Sequence, residues 1–200
     1  MNVNGPIKEC SFSAINLNDH FFDSLRKDYP GFNDWFKRKA TQNEKAYVLF
    51  SENNDVLGFL YLKDENEEDT SISPEFRKDR RLKIGTFKVV SHHTVFGERF
   101  MTIILRKMIN DNFTCAYVTM FPKQERLRQL FETFGFKYWG EKPNNELVYT
   151  KDLAVTNDFY KDFPRVNVNK GKYYILSIYP KYHTDLFPDS QLYTEKDHVE

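Results

Sequence analysis

From Arg80 to Gly140 the chain reads strand, polar loop, helix, buried strand, helix, strand. The apolar run Leu82–Val90 gives way to the loop Ser91–Phe96. Phe96, Phe100, Ile103, Ile104 and Met108 then recur at three- and four-residue spacing, the buried stripe of a helix. Thr114–Phe121 reads as an interior strand. Pro122 is expected to open a second helix, with Leu127, Leu130, Phe131 and Phe134 on its buried face and Gly135 as the C′ residue that ends it. In such a unit a ligand usually lies at the carboxyl ends of the strands, against a helix N-terminus.

The first of these strands contains a defect. Leu82 and Ile84 share one face, whereas Phe87 and Val89 have the opposite parity. A constant two-residue period cannot bury all four on one side. Either a β-bulge near Gly85-Thr86 restores the phase, or the strand is apolar on both faces.

Upstream, Phe12–Leu17 alternates weakly and is expected to be the first strand. Asn18 or Asp19 caps a short helix that Pro30-Gly31 breaks, and a second helix spans 33–41. That helix carries Trp35 and Phe36 on one side and the basic run Lys37, Arg38 and Lys39 on the other. Such a run is either a solvated face or a contact for phosphates or substrate. Ala46–Phe50 and Val56–Leu62 form a hairpin across Ser51–Asp55, and the acidic stretch 64–69 is expected to be a solvated loop. Phe136–Trp139 and Leu147–Tyr149 supply the last strands. The texture then changes: residues 154–200 are rich in Tyr, Phe, Lys and Pro, with one expected strand at Tyr173–Tyr179. The division expected is a domain over 1–153 followed by an aromatic extension, or a linker to a further domain, over 154–200.

Lys+Arg and Asp+Glu are 29 each, so no global charge steers the protein to nucleic acid or an anionic membrane. Two cysteines, Cys10 and Cys115, do not make a disulfide framework, and Cys115 reads as a small core residue. No apolar run approaches membrane-spanning length, and the N-terminus lacks the apolar region of a signal peptide. A reducing, cytoplasmic location is expected. His183 has no Cys or His at metal-ligand spacing, and no metal is expected.

Residues 130–136, Leu-Phe-Glu-Thr-Phe-Gly-Phe, resemble the L-Y-x-x-x-G-F helix end of the GNAT N-acetyltransferase superfamily, with Phe131 in place of Tyr and with Gln124 and Leu127 on the motif's preceding Asn and Ala positions. Thr94-Val95-Phe96-Gly97-Glu98-Arg99 resembles that family's cofactor motif, [QR]-x-x-G-x-[GA], keeping its first glycine and placing Arg99 at the second. The order of elements agrees over about Phe12–Leu153. The resemblance implies a mixed α/β fold, a mostly antiparallel sheet with one splayed parallel pair flanked by helices.

It further implies acetyl-CoA, or another acyl-CoA, as co-substrate, with direct transfer of the acyl group to an amine. The cofactor would lie where the Leu82–Val90 and Thr114–Phe121 strands diverge, against Phe87, Val89, Val90, Gln124 and Phe131. The amides of Thr94–Arg99 would hold the pyrophosphate. An amide near Val89 or Val90 would stabilise the oxyanion. Arg99 either supplies charge to the phosphates or closes the cradle by its bulk. Phe131 cannot protonate the departing thiolate, which leaves water, Tyr117 or Tyr138. Base candidates are His92, His93 and Glu65. Acceptors of this class are small-molecule, protein or RNA amines. A homodimer is compatible with it, and related bacterial proteins carry a PUA-like RNA-binding domain after such a domain. The rival reading is a non-catalytic module that keeps the fold and binds acyl-CoA, RNA or a protein partner through Lys37–Lys39 and the Tyr-rich tail.

Overall fold

The apolar runs pair into one seven-stranded sheet in the computed structural model, which describes residues 5–90 and 94–153 (only the backbone at 94 and 95). The elements are β1 (Lys8–Ser11), α1 (Asp23–Asp28), α2 (Phe32–Thr41), β2 (Lys45–Phe50), β3 (Val56–Glu65), β4 (Arg81–Val89), α3 (Thr94–Asn110), β5 (Cys115–Met120), α4 (Glu125–Thr133), β6 (Lys137–Glu141) and β7 (Leu147–Asp152). Their order in the sheet is β1-β2-β3-β4-β5-β7-β6. Only β4 and β5 are parallel, joined by the α3 crossover; every other neighbouring pair is antiparallel. The expected strand Tyr173–Tyr179 and the rest of 154–200 lie outside the described residues. No helix among the described residues is long and apolar enough to cross a membrane.

The two faces of the sheet are covered differently. Phe96, Phe100, Ile104 and Met108 of α3 and Phe131 of α4 pack with Leu82, Ile84 and Phe87 of β4 and with Ala116 and Val118 of β5. On the other face, Phe12, Phe22, Phe32 and Phe36 pack over Val48, Phe59 and Tyr61. Much of this chain's Phe content is spent there, in edge-to-face pairs such as Phe12–Phe36 at 4.8 Å. Towards β7 that second face is closed by the long β3–β4 loop, whose Ile72 and Phe76 pack on Tyr117 and Val148. Ser73 of this loop exchanges backbone hydrogen bonds with Glu141 of β6.

Three sequence expectations require correction. Phe12–Leu17 is not a strand. β1 ends at Ser11, and Phe12–Ala14 forms a 3-10 turn that drives Phe12 into the aromatic core, with its amide donating to the Glu44 carbonyl. Pro122 does not open α4. Gln124 folds back so that its side-chain oxygen accepts from the Phe121 amide while its own amide donates to the Phe121 carbonyl, and the helix starts only at Glu125. Asp64 and Glu65 belong to β3 rather than to the loop that follows it.

The end of α4 matches expectation. Gly135 has φ 82°, its amide donates to the Glu132 carbonyl, and the Phe136 amide reaches back to the Phe131 carbonyl. The Phe131 and Phe136 rings pack at 4.8 Å and complete this helix stop.

Candidate functional site

The bulge lies where parity placed it. Tyr61 faces Thr86 and Leu62 faces Ile84, so Gly85 is the extra residue. Leu82, Ile84, Phe87 and Val89 consequently all join the core under α3 and α4. A Cβ on Gly85 would stand 2.8 Å from the Tyr61 ring, which explains glycine at this position.

The parallel ladder between β4 and β5 stops one residue before the bulge, at Ile84↔Val118, although β4 runs on to Val89 and β5 to Met120. Beyond that point the Val90 amide donates to the Leu57 carbonyl. By alternation, the Lys88 amide also turns towards β3, and the amides of Phe87 and Val89 turn towards the divergence. The Val90 amide is therefore committed to β3, and the amides of Phe87 and Val89 are the ones left facing the divergence.

α1 crosses this divergence on the opposite face from α3. At one end, the Lys88 ammonium donates to the Phe21 carbonyl and lies 4.5 Å from the centre of the Phe21 ring. At the other end, Asp28 pairs with Lys123 at 2.6 Å, and the Tyr29 ring packs against Phe121 at 5.4 Å. Tyr29 also donates to Glu146, just ahead of β7, at 3.2 Å. Burial, with the Glu146 carboxylate beside it, pushes the Tyr29 phenol well above its ordinary range. None of Tyr29, Lys88, Lys123 and Glu146 was singled out by sequence reasoning. The one available signal was Lys88, a charge inside an apolar strand.

The residues expected to hold a cofactor fare unequally. Phe87 is nearly buried, its ring 5.4 Å from that of Phe131. Phe131 is 0% exposed and forms the floor under the divergence rather than a surface open to a ligand. Gln124 is occupied in closing the β5–α4 turn. Gly97 has a packing reason: a Cβ there would stand 2.8 Å from the end of the Leu130 side chain of α4. The Arg99 guanidinium donates to the Gly5 carbonyl at 2.7 Å. The Glu98 carbonyl accepts from Thr102. The backbone of Thr94 and Val95 starts α3, followed by buried Phe96, so the helix N-terminus does follow β4 directly. His92 and His93 lie outside the described residues.

Glu65 lies at the end of β3 opposite Arg81, away from the β4–β5 divergence. It accepts from Lys63 at 2.7 Å, from Lys83 at 3.2 Å and from the Tyr117 hydroxyl. Lys83 precedes Val89 by six residues, which is about 20 Å along a strand. Burial pushes the Glu65 carboxyl up, but the hydrogen bonds from Lys63 and Tyr117 and the charge of Lys83 outweigh it and hold the group below its ordinary value. A depression of ≈ 520 Å³ opens beside this cluster, lined by charged residues including Asp64, Glu67, Arg80 and Lys83. Its distance from the β4–β5 divergence removes it from the candidate site.

The two tyrosines considered as proton donors are also placed elsewhere. Tyr117 is committed to Glu65, and Tyr138 is 53% exposed on the edge strand, bonded to Glu141 at 2.9 Å. Burial pushes the Cys115 thiol up to about 11, consistent with a packing role. Among the described residues no group of His, Cys, Asp and Glu is arranged to hold a metal ion.

No protein-family model matches the sequence, and no curated protein matches it. Solved structures do match its architecture. A Klebsiella pneumoniae protein proposed to be an acyl-CoA N-acyltransferase aligns with a TM-score of 0.51 at 12% identity, over 76% of this chain and 99% of that one. An acetyltransferase of the GNAT family from Staphylococcus aureus aligns with a TM-score of 0.50 at 12% identity, over 74% of this chain and 99% of its own. Together with the strand order and the single parallel pair that opens beyond a bulge, these alignments establish that the chain has the GNAT acyltransferase fold.

Proposed function

We propose that the protein transfers an acyl group from acetyl-CoA, or a related acyl-CoA, to an amine. The observation that carries this reading is the end of the β4–β5 ladder at Ile84↔Val118, directly before the Gly85 bulge. A pantetheine-like chain is narrow and rich in amides, and it suits a gap whose one wall presents the unpaired strand edge at Phe87 and Val89. The thioester carbonyl would accept from the Val89 amide, which then stabilises the oxyanion formed when the amine attacks. The pyrophosphate would lie at the start of α3, where backbone amides and the helix dipole favour an anion. With Arg99 turned to Gly5, these amides carry the phosphate contact in this reading.

With Glu65 set aside, His92 and His93, which follow Val90 in the sequence, are the remaining bases for the acceptor ammonium. The thiol leaves as thiolate without a protein donor, since thiols ionise near pH 8.5. Location inside the cell, an amine of protein, RNA or small-molecule origin, and a homodimer remain part of the proposal.

Binding is tested by thermal shift with acetyl-CoA, where a ligand at 100 times its Kd adds about 2.7 kcal/mol. Transfer is tested by thiol release with a panel of amines. No shift at millimolar acetyl-CoA sinks the proposal. The closed floor at Phe131 favours the second reading, a module that binds acyl-CoA without turnover. A shift with no thiol release across the panel would select it.

A further inference from the structure

Lys88 lies between the two residues whose amides face the divergence, and its side chain leaves the sheet on the α1 face, in register with Phe59. Other partly buried lysines are matched to carboxylates: Lys39 to Glu44, Lys83 to Glu65, Lys107 to Asp111 and Lys142 to Asp69. Lys88 has no carboxylate within ion-pair distance among the described residues. Its ammonium rests on a backbone carbonyl and an aromatic ring instead. A carbonyl oxygen accepting from the Val89 amide stands about 3 Å from that nitrogen, one peptide from Lys88 and within the sweep of a four-carbon side chain.

We infer that Lys88 is an internal acyl acceptor, whose ε-amine takes the acetyl group from acetyl-CoA bound between β4 and β5. This rests on the acyl-CoA reading of that cleft. Burial pushes the Lys88 ammonium below its ordinary pKa, helped by Arg26 and opposed by Asp23, Asp19 and Asp28, so more of it is neutral than of a surface lysine. In the step, the neutral nitrogen attacks the thioester carbon. The N–C bond forms, the C–S bond breaks, and coenzyme A leaves as thiolate while the nitrogen gives up its extra proton to solvent. The product is an uncharged amide. It can no longer offer an ammonium to the Phe21 carbonyl and ring, so the modification alters the contact that holds the segment entering α1.

The full chain is incubated with acetyl-CoA, and acetylation is followed site by site by peptide mass spectrometry, alongside the thermal shift. Lys88 should gain an acetyl group at least about ten-fold faster than exposed Lys37, because a bound donor acts at high effective concentration. Excess desulfo-coenzyme A or prior unfolding in urea should abolish that advantage, and Lys88→Arg should remove the mark. A thermal shift with Lys88 modified no faster than Lys37 overturns the inference and leaves the cleft assignment standing. No thermal shift overturns both.

Discussion

Tyr29 and Glu146, 117 positions apart, meet at 3.2 Å and tie the turn after α1 to the start of β7. Glu146 is only 7% exposed and also accepts from Asn144 at 3.1 Å, so its carboxylate depends on these donors. Tyr29→Phe keeps the ring against Phe121 and removes one donor. The expected loss is about 1–3 kcal/mol, read as a lower urea midpoint with an unchanged slope. Loss within experimental error would show that water replaces the hydroxyl.

Gly97 and Leu130 limit how closely α3 and α4 approach. Gly97→Ala should destabilise by about 1–3 kcal/mol through overpacking, less the gain of about 1 kcal/mol from alanine's helix propensity. Trimming the partner with Leu130→Ala should relieve the clash, so the two changes should couple in a double-mutant cycle. Additive effects would mean that the glycine serves something other than this contact.

Glu65 should matter to stability and not to transfer. Its carboxyl is held below its ordinary value in the folded protein, so the folded state binds fewer protons there than the unfolded chain does. That contribution is present above the unfolded value of about 4.3 and fades as pH falls through the folded one. Glu65→Gln should therefore lower the urea midpoint at pH 7, with the gap to the parent chain narrowing by pH 3.5. Thiol release from acetyl-CoA should be unchanged. A large fall in turnover would return Glu65 to the role of base.

Phe131→Tyr tests the floor of the cleft. The hydroxyl would enter a site enclosed by Phe87 and Phe136, and burying it without a partner costs about 1–3 kcal/mol. If instead it reaches the gap, thermal stability should hold and thiol release should rise. The two outcomes separate by measuring Tm and rate on the same variant.

What the sequence shows is what short-range physics decides. The β4 bulge was one of two readings open to a strand whose four apolar residues cannot share a face without it, and the stop of α4 was visible because Gly135 follows a buried stripe. The start of the chain was misread because Phe12 takes its conformation from an aromatic core assembled from distant segments. The surroundings of Arg99 and Glu65 were illegible for a related reason. Sequence shows that a charge is present, but not that its partner is Gly5, nor that the far end of β3 lies about 20 Å from the β4–β5 divergence. Lys88 and Tyr29 were missed because each is defined by what α1 touches.

The Arg99 hydrogen bond to Gly5 has a practical consequence. It fastens the segment entering β1 to the first turns of the helix that begins after β4. An affinity tag fused at the front, or a trimmed start that removes Gly5, therefore acts on α3 as well as on the edge of the sheet. Preparations tagged at opposite ends should differ in hydrogen exchange near Arg99, and ligand affinities measured on the two should not be pooled.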